Sequence, residues 1–88
     1  MSHTSKPTTK QQDHLAKLAK QSEATTTFQN AYQDLKTNQT IEQATKVAKM
    51  GRELLELERE SGVQMLKTTE HRTLIAEDMV NKGVNKTI

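Results

Sequence analysis

The chain has 88 residues with 13 Lys and Arg, 11 Asp and Glu, no Cys and no Trp, and hydrophobic residues make up 32% of it. Such a length allows one domain. A domain this small removes only about 60% of its unfolded surface from water, so we expect it to gain stability from a partner. The composition excludes a disulfide framework, a thiolate zinc site and a cysteine nucleophile, and no apolar run approaches the roughly 20 residues that span a bilayer.

The chain begins with a polar stretch. Residues 1–8 are small, polar and basic, which predicts a flexible arm and not a signal peptide. A helix should begin at Thr8 or Thr9, because either hydroxyl can cap its first amides. The narrow apolar seam of this helix consists of Leu15, Leu18, Ala19 and Ser22.

A second apolar set follows with the spacing i, i+3, i+4, i+7; its members are Phe28, Ala31, Tyr32 and Leu35. On one straight helix this set would lie about 200° around the axis from the first seam. Between the two sets lies Thr25-Thr26-Thr27, whose residues have modest helix propensity. Either the chain breaks there, or one helix contacts different neighbours at its two ends. The threonines favour a break or kink.

The clearest boundary comes next. Thr40 and Gln43 have the spacing of a capping box and follow a polar stretch, so a helix should begin at Ile41. Its apolar residues up to Leu57 cover an arc of about 200°, wider than the roughly 100° that one neighbour requires. This helix should therefore be central and touch two partners, with a close approach of the backbones at Ala44, Ala48 and Gly51.

The chain after this helix allows two interpretations. Gly62 can end the helix, with Ser61 and Gln64 opening another. The apolar stripe nevertheless keeps nearly the same phase, which also permits a single bent helix over residues 41–82.

The last helix should end at Lys82-Gly83, which matches a helix C-terminus, and residues 84–88 form a tail. The sequence thus predicts an all-α fold in a single domain over residues 9–83. We expect a small bundle of three to four helices around a long central helix.

The acidic residues of the central helix do not indicate a metal or acid-base site. Glu53, Glu56 and Glu60 share one face with interleaved bases, which is typical of a solvated helix surface. Glu58 alone falls inside the apolar arc, either at its edge or in a buried pair with Arg72.

The histidines, His3, His14 and His71, have no second ligand at i+3 or i+4. No Ser or Thr lies in a nucleophile elbow or in a phosphate-binding loop. We therefore expect no catalytic residue, no metal and no cofactor, and we interpret the chain as a protein that is not an enzyme.

Lysines dominate the start of the chain, at Lys6, Lys10, Lys17 and Lys20. They form a small basic ridge, but there is no arginine cluster and no helix-turn-helix spacing, so nucleic-acid binding is the less favoured interpretation. The first helix has no aromatic residue on its apolar face, which argues against membrane binding.

Phe28 and Tyr32 form an isolated aromatic pair at i, i+4. Such a pair can belong to the core, or it can anchor a protein interface, where aromatic residues are favoured. A helix with a narrow apolar seam also suits docking into a groove on another protein.

In size, lack of Cys, all-α character and three-helix body, the chain resembles the small helical antitoxins of the epsilon type from toxin–antitoxin modules. The resemblance implies a cytoplasmic protein that wraps a P-loop kinase toxin and obstructs its nucleotide site with the first helix. Its candidate contacts in this sequence are Asp13, His14, Lys17 and Lys20. The threonine-rich break after the first helix departs from the family pattern.

The sequence therefore favours a non-enzymatic protein that binds and inhibits or regulates a protein partner, with an antitoxin as its concrete form. The candidate partner-binding residues are Asp13, His14, Lys17, Lys20, Phe28 and Tyr32. The alternatives are a small DNA- or RNA-associated accessory protein of a plasmid or phage and a structural helical homo-oligomer.

Overall fold

Three helices follow one another in the computed structural model, which describes residues 9–83. They are α1 (Thr9–Thr37), α2 (Ile41–Ser61) and α3 (Thr69–Lys82). Residues 9–83 contain no strand, so the all-α prediction is confirmed, and three helices agree with the predicted three to four. The predicted arm at residues 1–8 and the predicted tail at 84–88 lie outside the described residues.

The first helix continues without interruption through the threonine triplet, so the predicted break was wrong. Each hydroxyl donates a hydrogen bond to the carbonyl oxygen four residues earlier, at 2.7 Å from Thr25, 3.3 Å from Thr26 and 3.0 Å from Thr27. A threonine that bonds back in this way satisfies its hydroxyl inside the helix and leaves the backbone ladder intact. The other interpretation is right in that one helix continues, but the first part of that helix is exposed and, within residues 9–83, does not pack on a second neighbour.

The predicted start of α2 is confirmed. The amide of Gln43 donates to Oγ1 of Thr40 at 3.0 Å, which caps the helix. The side chain of Gln43 does not complete the capping box. Instead, its Nε2 donates to the carbonyl of Ala31 at 3.1 Å and ties the beginning of α2 to α1.

A glycine ends α2. The predicted helix end at Gly62 is therefore confirmed, and the alternative of one helix over residues 41–82 was wrong. Gly62 has φ 74° and its amide donates to the carbonyl of Glu58 at 2.9 Å. The left-handed conformation suits glycine and stops the helix. The next helix begins at Thr69 and not at Ser61 or Gln64 as predicted, because residues 62–68 form the connection.

α2 is central by position, since it packs against both α1 and α3. It is not the longest helix, because it has 21 residues and α1 has 29. A Cβ at Gly51 would lie only 2.0 Å from Oγ1 of Thr73. The small residue therefore allows α3 to approach the α2 backbone, as the sequence predicted.

The core contains one buried carboxylate. The side chain of Glu58 is 8% exposed and accepts a hydrogen bond from Oγ1 of Thr69 at 2.8 Å. Glu58 is thus buried rather than at an edge, and its partner is a hydroxyl rather than Arg72. Among the described residues, the largest apolar side chains that are fully buried are those of Phe28, Leu35, Leu54, Met79 and Val47.

An ion pair joins α2 to α3 near the surface. The guanidinium of Arg52 donates to both carboxylate oxygens of Glu77, at 2.5 and 2.6 Å, and this hydrogen bonding holds the pKa of Glu77 below its usual value. Glu56 pairs instead with Arg59 on its own helix. Arg52, Glu56 and Arg59 are therefore paired at the surface, and Glu53 and Glu60 are exposed, as expected for a solvated helix face.

The molecule is elongated, with extents of 62 × 19 × 18 Å and a radius of gyration of 16.4 Å. A compact globule of this chain length has a radius of gyration of about 12 Å. At 1.5 Å per residue, the 29 residues of α1 supply about 43 Å of the longest extent.

Candidate functional site

The N-terminal part of α1 extends beyond the rest of the bundle. α1 and α2 run antiparallel, since Ala31 lies beside Gln43 and Gln21 lies beside Val63. In residues 10–20, which we call the projecting segment, every side chain is exposed except that of Leu18, which is half-buried. At 1.5 Å per residue this segment is about 16 Å long.

Gln21 marks the point where α1 enters the bundle. Its side chain is fully buried, its Nε2 donates to the carbonyl of Val63 at 2.6 Å, and its Oε1 accepts from the hydroxyl of Ser61 at 2.7 Å. Both hydrogen bonds reach the end of α2 and the connection that follows it. Gln21 therefore fixes where the projecting segment begins.

We expect Gln21→Ala to destabilise the protein by about 1–3 kcal/mol, because it leaves the carbonyl of Val63 without its donor in a half-buried site. Urea unfolding followed by circular dichroism measures the loss, and amide hydrogen exchange should quicken around residues 61–66. Gln33→Ala is the matched control, since Gln33 is exposed on the same helix. Equal stability of the two variants would contradict this role.

The four polar candidates from the sequence lie together on the projecting segment. Asp13, His14, Lys17 and Lys20 are all exposed, and their spacing by three and four residues places them along one side of the helix. None of them forms an ion pair with another residue of 9–83. The segment carries three lysines against one aspartate, so its charge is positive.

The two aromatic candidates lie elsewhere. Phe28 is fully buried and Tyr32 is 5% exposed, so both belong to the core and neither offers a surface to a partner. The Tyr32 ring lies against the cations of Lys36 and Arg72, at 5.3 and 4.8 Å from the ring centre. Of the two interpretations of this pair, the core is the correct one, because both rings lie in the same buried cluster as Ala31 and Leu35 of α1.

An open groove runs between α1 and α2 beside the projecting segment. Its volume is about 630 Å³, and its apolar lining includes Ala24, Met50 and Leu57. Three carboxylates line it as well, those of Glu23, Glu53 and Glu56. Two cations, Lys20 and Arg52, line it too, so the apolar groove has charges of both signs at its edges with one carboxylate in excess. Lys20 lies where the groove meets the projecting segment.

Sequence reasoning missed two parts of this region. Gln21, Thr25 and Phe28 follow one another at intervals of four and three residues, so the buried face of α1 continues from Phe28 towards the N-terminus. Because Gln21 and Thr25 are polar, the pattern of apolar residues did not include them. Glu23 belongs to a groove that only the packing of α1 on α2 creates. No signal in the sequence indicates that packing.

The described residues show neither a metal-binding cluster nor a membrane-spanning helix. Residues 9–83 contain no group of three or more side chains arranged to hold a metal ion. Among the helices in that range, none is long and apolar enough to cross a membrane.

Comparison with known proteins identifies no relative. No protein-family model matches the chain, and neither a curated protein nor a solved structure matches it significantly.

Proposed function

We propose that this protein is a non-enzymatic binding protein of the cytoplasm that restrains a protein partner through its projecting segment. The observation that carries the proposal is a rigid helix extending about 16 Å from the bundle, with Asp13, His14, Lys17 and Lys20 exposed on one side. A helix presented in this way can enter a groove or cleft of a partner without reorganising the bundle.

The concrete form of this proposal is an antitoxin that neutralises a P-loop kinase toxin, encoded on a plasmid or phage. A nucleotide site holds phosphates with cations and backbone amides, so Asp13 is the residue of the projecting segment that can take the place of a phosphate, while its lysines would pair with carboxylates around the site. Its insertion would exclude the nucleotide. The projecting segment has the length and exposure that this mechanism requires.

Affinity purification of the tagged protein from its host tests the proposal. We expect a stoichiometric protein that remains bound at high salt. We also expect a variant with Ala at Asp13, His14, Lys17 and Lys20 to bind at least about a hundredfold more weakly, the effect of two residues worth about 1.4 kcal/mol each. The matched control replaces four exposed charges of α2 by Ala, at Glu42, Lys46, Lys49 and Glu60.

The partner's nucleotide provides the second measurement. For a P-loop kinase toxin, added ATP should weaken the complex, and the complex should raise the midpoint of thermal unfolding of this protein. Binding that ignores ATP would contradict the kinase mechanism. Equal retention of the partner by the four-Ala variant and its control would contradict the role of the projecting segment.

A second function is favoured by the three exposed lysines of the projecting segment, which suit an accessory protein that contacts DNA or RNA. The affinity for duplex DNA should then fall with a log-log salt slope of about −0.9 per phosphate neutralised, or about −2.7 for three lysines. A gel-shift series at several salt concentrations measures this slope. No binding at low salt would remove this candidate.

A further inference from the structure

Opposite charges without partners lie on two neighbouring surfaces of the molecule. Within residues 9–83, Lys10 and Lys17 of the projecting segment form no ion pair, and neither do Glu23 and Glu53 of the groove. Other charges near the groove are already used, since Arg52 is bound to Glu77 and Glu56 to Arg59. The remaining charges make the projecting segment basic and the groove acidic.

Both surfaces face the same side of α1. Intervals of four and three residues connect Asp13, Lys17, Lys20, Ala24 and Thr27, so these side chains form one line along the helix. The line begins on the projecting segment and ends in the groove. A basic surface and an acidic surface therefore follow each other along one straight helix.

We propose that the groove between α1 and α2 binds the projecting segment of a second copy of this chain. A two-fold axis perpendicular to α1 near Lys20 makes the contact mutual, with each projecting segment in the groove of the other copy. Such an interface is isologous and closed, so it produces a dimer and not a filament.

The dimensions agree with this occupant. The groove is lined along α1 from Lys20 to Thr27 and along α2 from Met50 to Leu57, and seven residues of either helix cover about 10 Å. About a two-fold axis near Lys20, these α1 residues face residues 13–20 of the antiparallel second copy, which have the same length. Lys17 then lies opposite the second copy's Glu23 and Glu53, while Ala16 is small enough to approach Ala24.

This dimer does not rest on the proposed function, although the two contacts share residues. Lys17 and Lys20 take part in both contacts, so self-association and partner binding exclude each other. The test below uses the pure chain alone, and its failure leaves the proposed function untouched.

Analytical ultracentrifugation of the full chain at low salt tests the dimer over a range of protein concentrations. We expect Lys17→Glu to raise the dimer dissociation constant by about tenfold or more, and Glu23→Lys combined with Glu53→Lys to do the same. An equal mixture of the two variants should regain dimers, because both contacts in the mixed dimer again join opposite charges. High salt should dissociate the wild type, as the Debye length falls from about 10 Å at 0.1 M to about 3 Å at 1 M.

Lys67→Glu is the control, since Lys67 is exposed in the connection between α2 and α3 and does not line the groove. It should dimerise like the wild type. A wild type that stays monomeric at low salt would overturn the proposal, even if its groove binds a synthetic peptide of residues 9–21. The proposal would also be overturned if either charge-reversal variant still formed dimers, or if the two variants failed to dimerise when mixed.

Discussion

Phe28→Ala should lower the free energy of unfolding by about 3–5 kcal/mol, the cost of removing a buried phenylalanine ring. Phe28 is fully buried among the side chains of all three helices. A domain of this length has a total stability of only about 4–13 kcal/mol, so we expect the variant to be largely unfolded at physiological temperature. Urea unfolding followed by far-UV circular dichroism measures the difference.

The matched control is Leu15→Ala. Leu15 is 57% exposed on the projecting segment, and its truncation should change stability by no more than about 0.5 kcal/mol. The two variants compare the stability effect of truncating a core residue with that of truncating a surface residue on the same helix. If Phe28→Ala kept wild-type stability and lost only partner binding, Phe28 would be an interface anchor after all.

Gly51→Ala should destabilise the protein by about 2 kcal/mol, although alanine is the better helix former by about 1 kcal/mol. The new methyl group would lie 2.0 Å from Oγ1 and 2.8 Å from Cβ of Thr73. Contacts this short force α3 away from α2, and the loss of packing outweighs the gain in propensity. The midpoint of thermal unfolding measures the net effect.

A double-mutant cycle with Thr73→Ala gives the control. This change removes Oγ1 and Cγ2 and leaves Cβ, so Gly51→Ala should cost less in that background. The two changes should therefore be coupled. A Gly51→Ala variant more stable than the wild type would show that α3 does not approach α2 at this residue.

The helix ends that depend on local chemistry could be predicted from the sequence. Thr40 has a hydroxyl that caps α2, and Gly62 adopts the left-handed conformation that ends it. Each of these signals involves one residue and the backbone next to it. For Gly62 the sequence still left a choice, because the apolar stripe continues in phase beyond the turn.

The threonine triplet shows why the break could not be predicted correctly. A threonine hydroxyl can cap a new helix or bond back to the preceding turn, and the local sequence alone does not select between the two uses. Thr25 is buried beside the core, so packing favours the continuous helix. The phase difference between the two apolar sets was real, and it reflects a helix whose first part lies outside the bundle.

The candidate site was predictable in part. The charged residues of the first helix are exposed, as their spacing indicated, whereas the depth at which Phe28 and Tyr32 are buried depends on all three helices. The prediction for Glu58 was limited in the same way, by contacts that depend on tertiary packing. Its place in the apolar arc was visible, but its partner Thr69 comes from the helix that the sequence could not place.

The uninterrupted path of α1 from the bundle into solvent has a consequence for its folding. A separate helix of eleven residues would be only marginally formed in water, because nucleating the first turn is unfavourable and isolated helices need about 12–15 residues. Here the buried half of α1 provides the nucleus, and each further turn toward the N-terminus only extends it. Under the proposed function, the projecting segment would therefore reach its partner already helical, which spares the complex the cost of ordering this backbone on binding. Variants that destabilise the distant core should for this reason weaken the proposed binding of the partner, although they remove no contact with it.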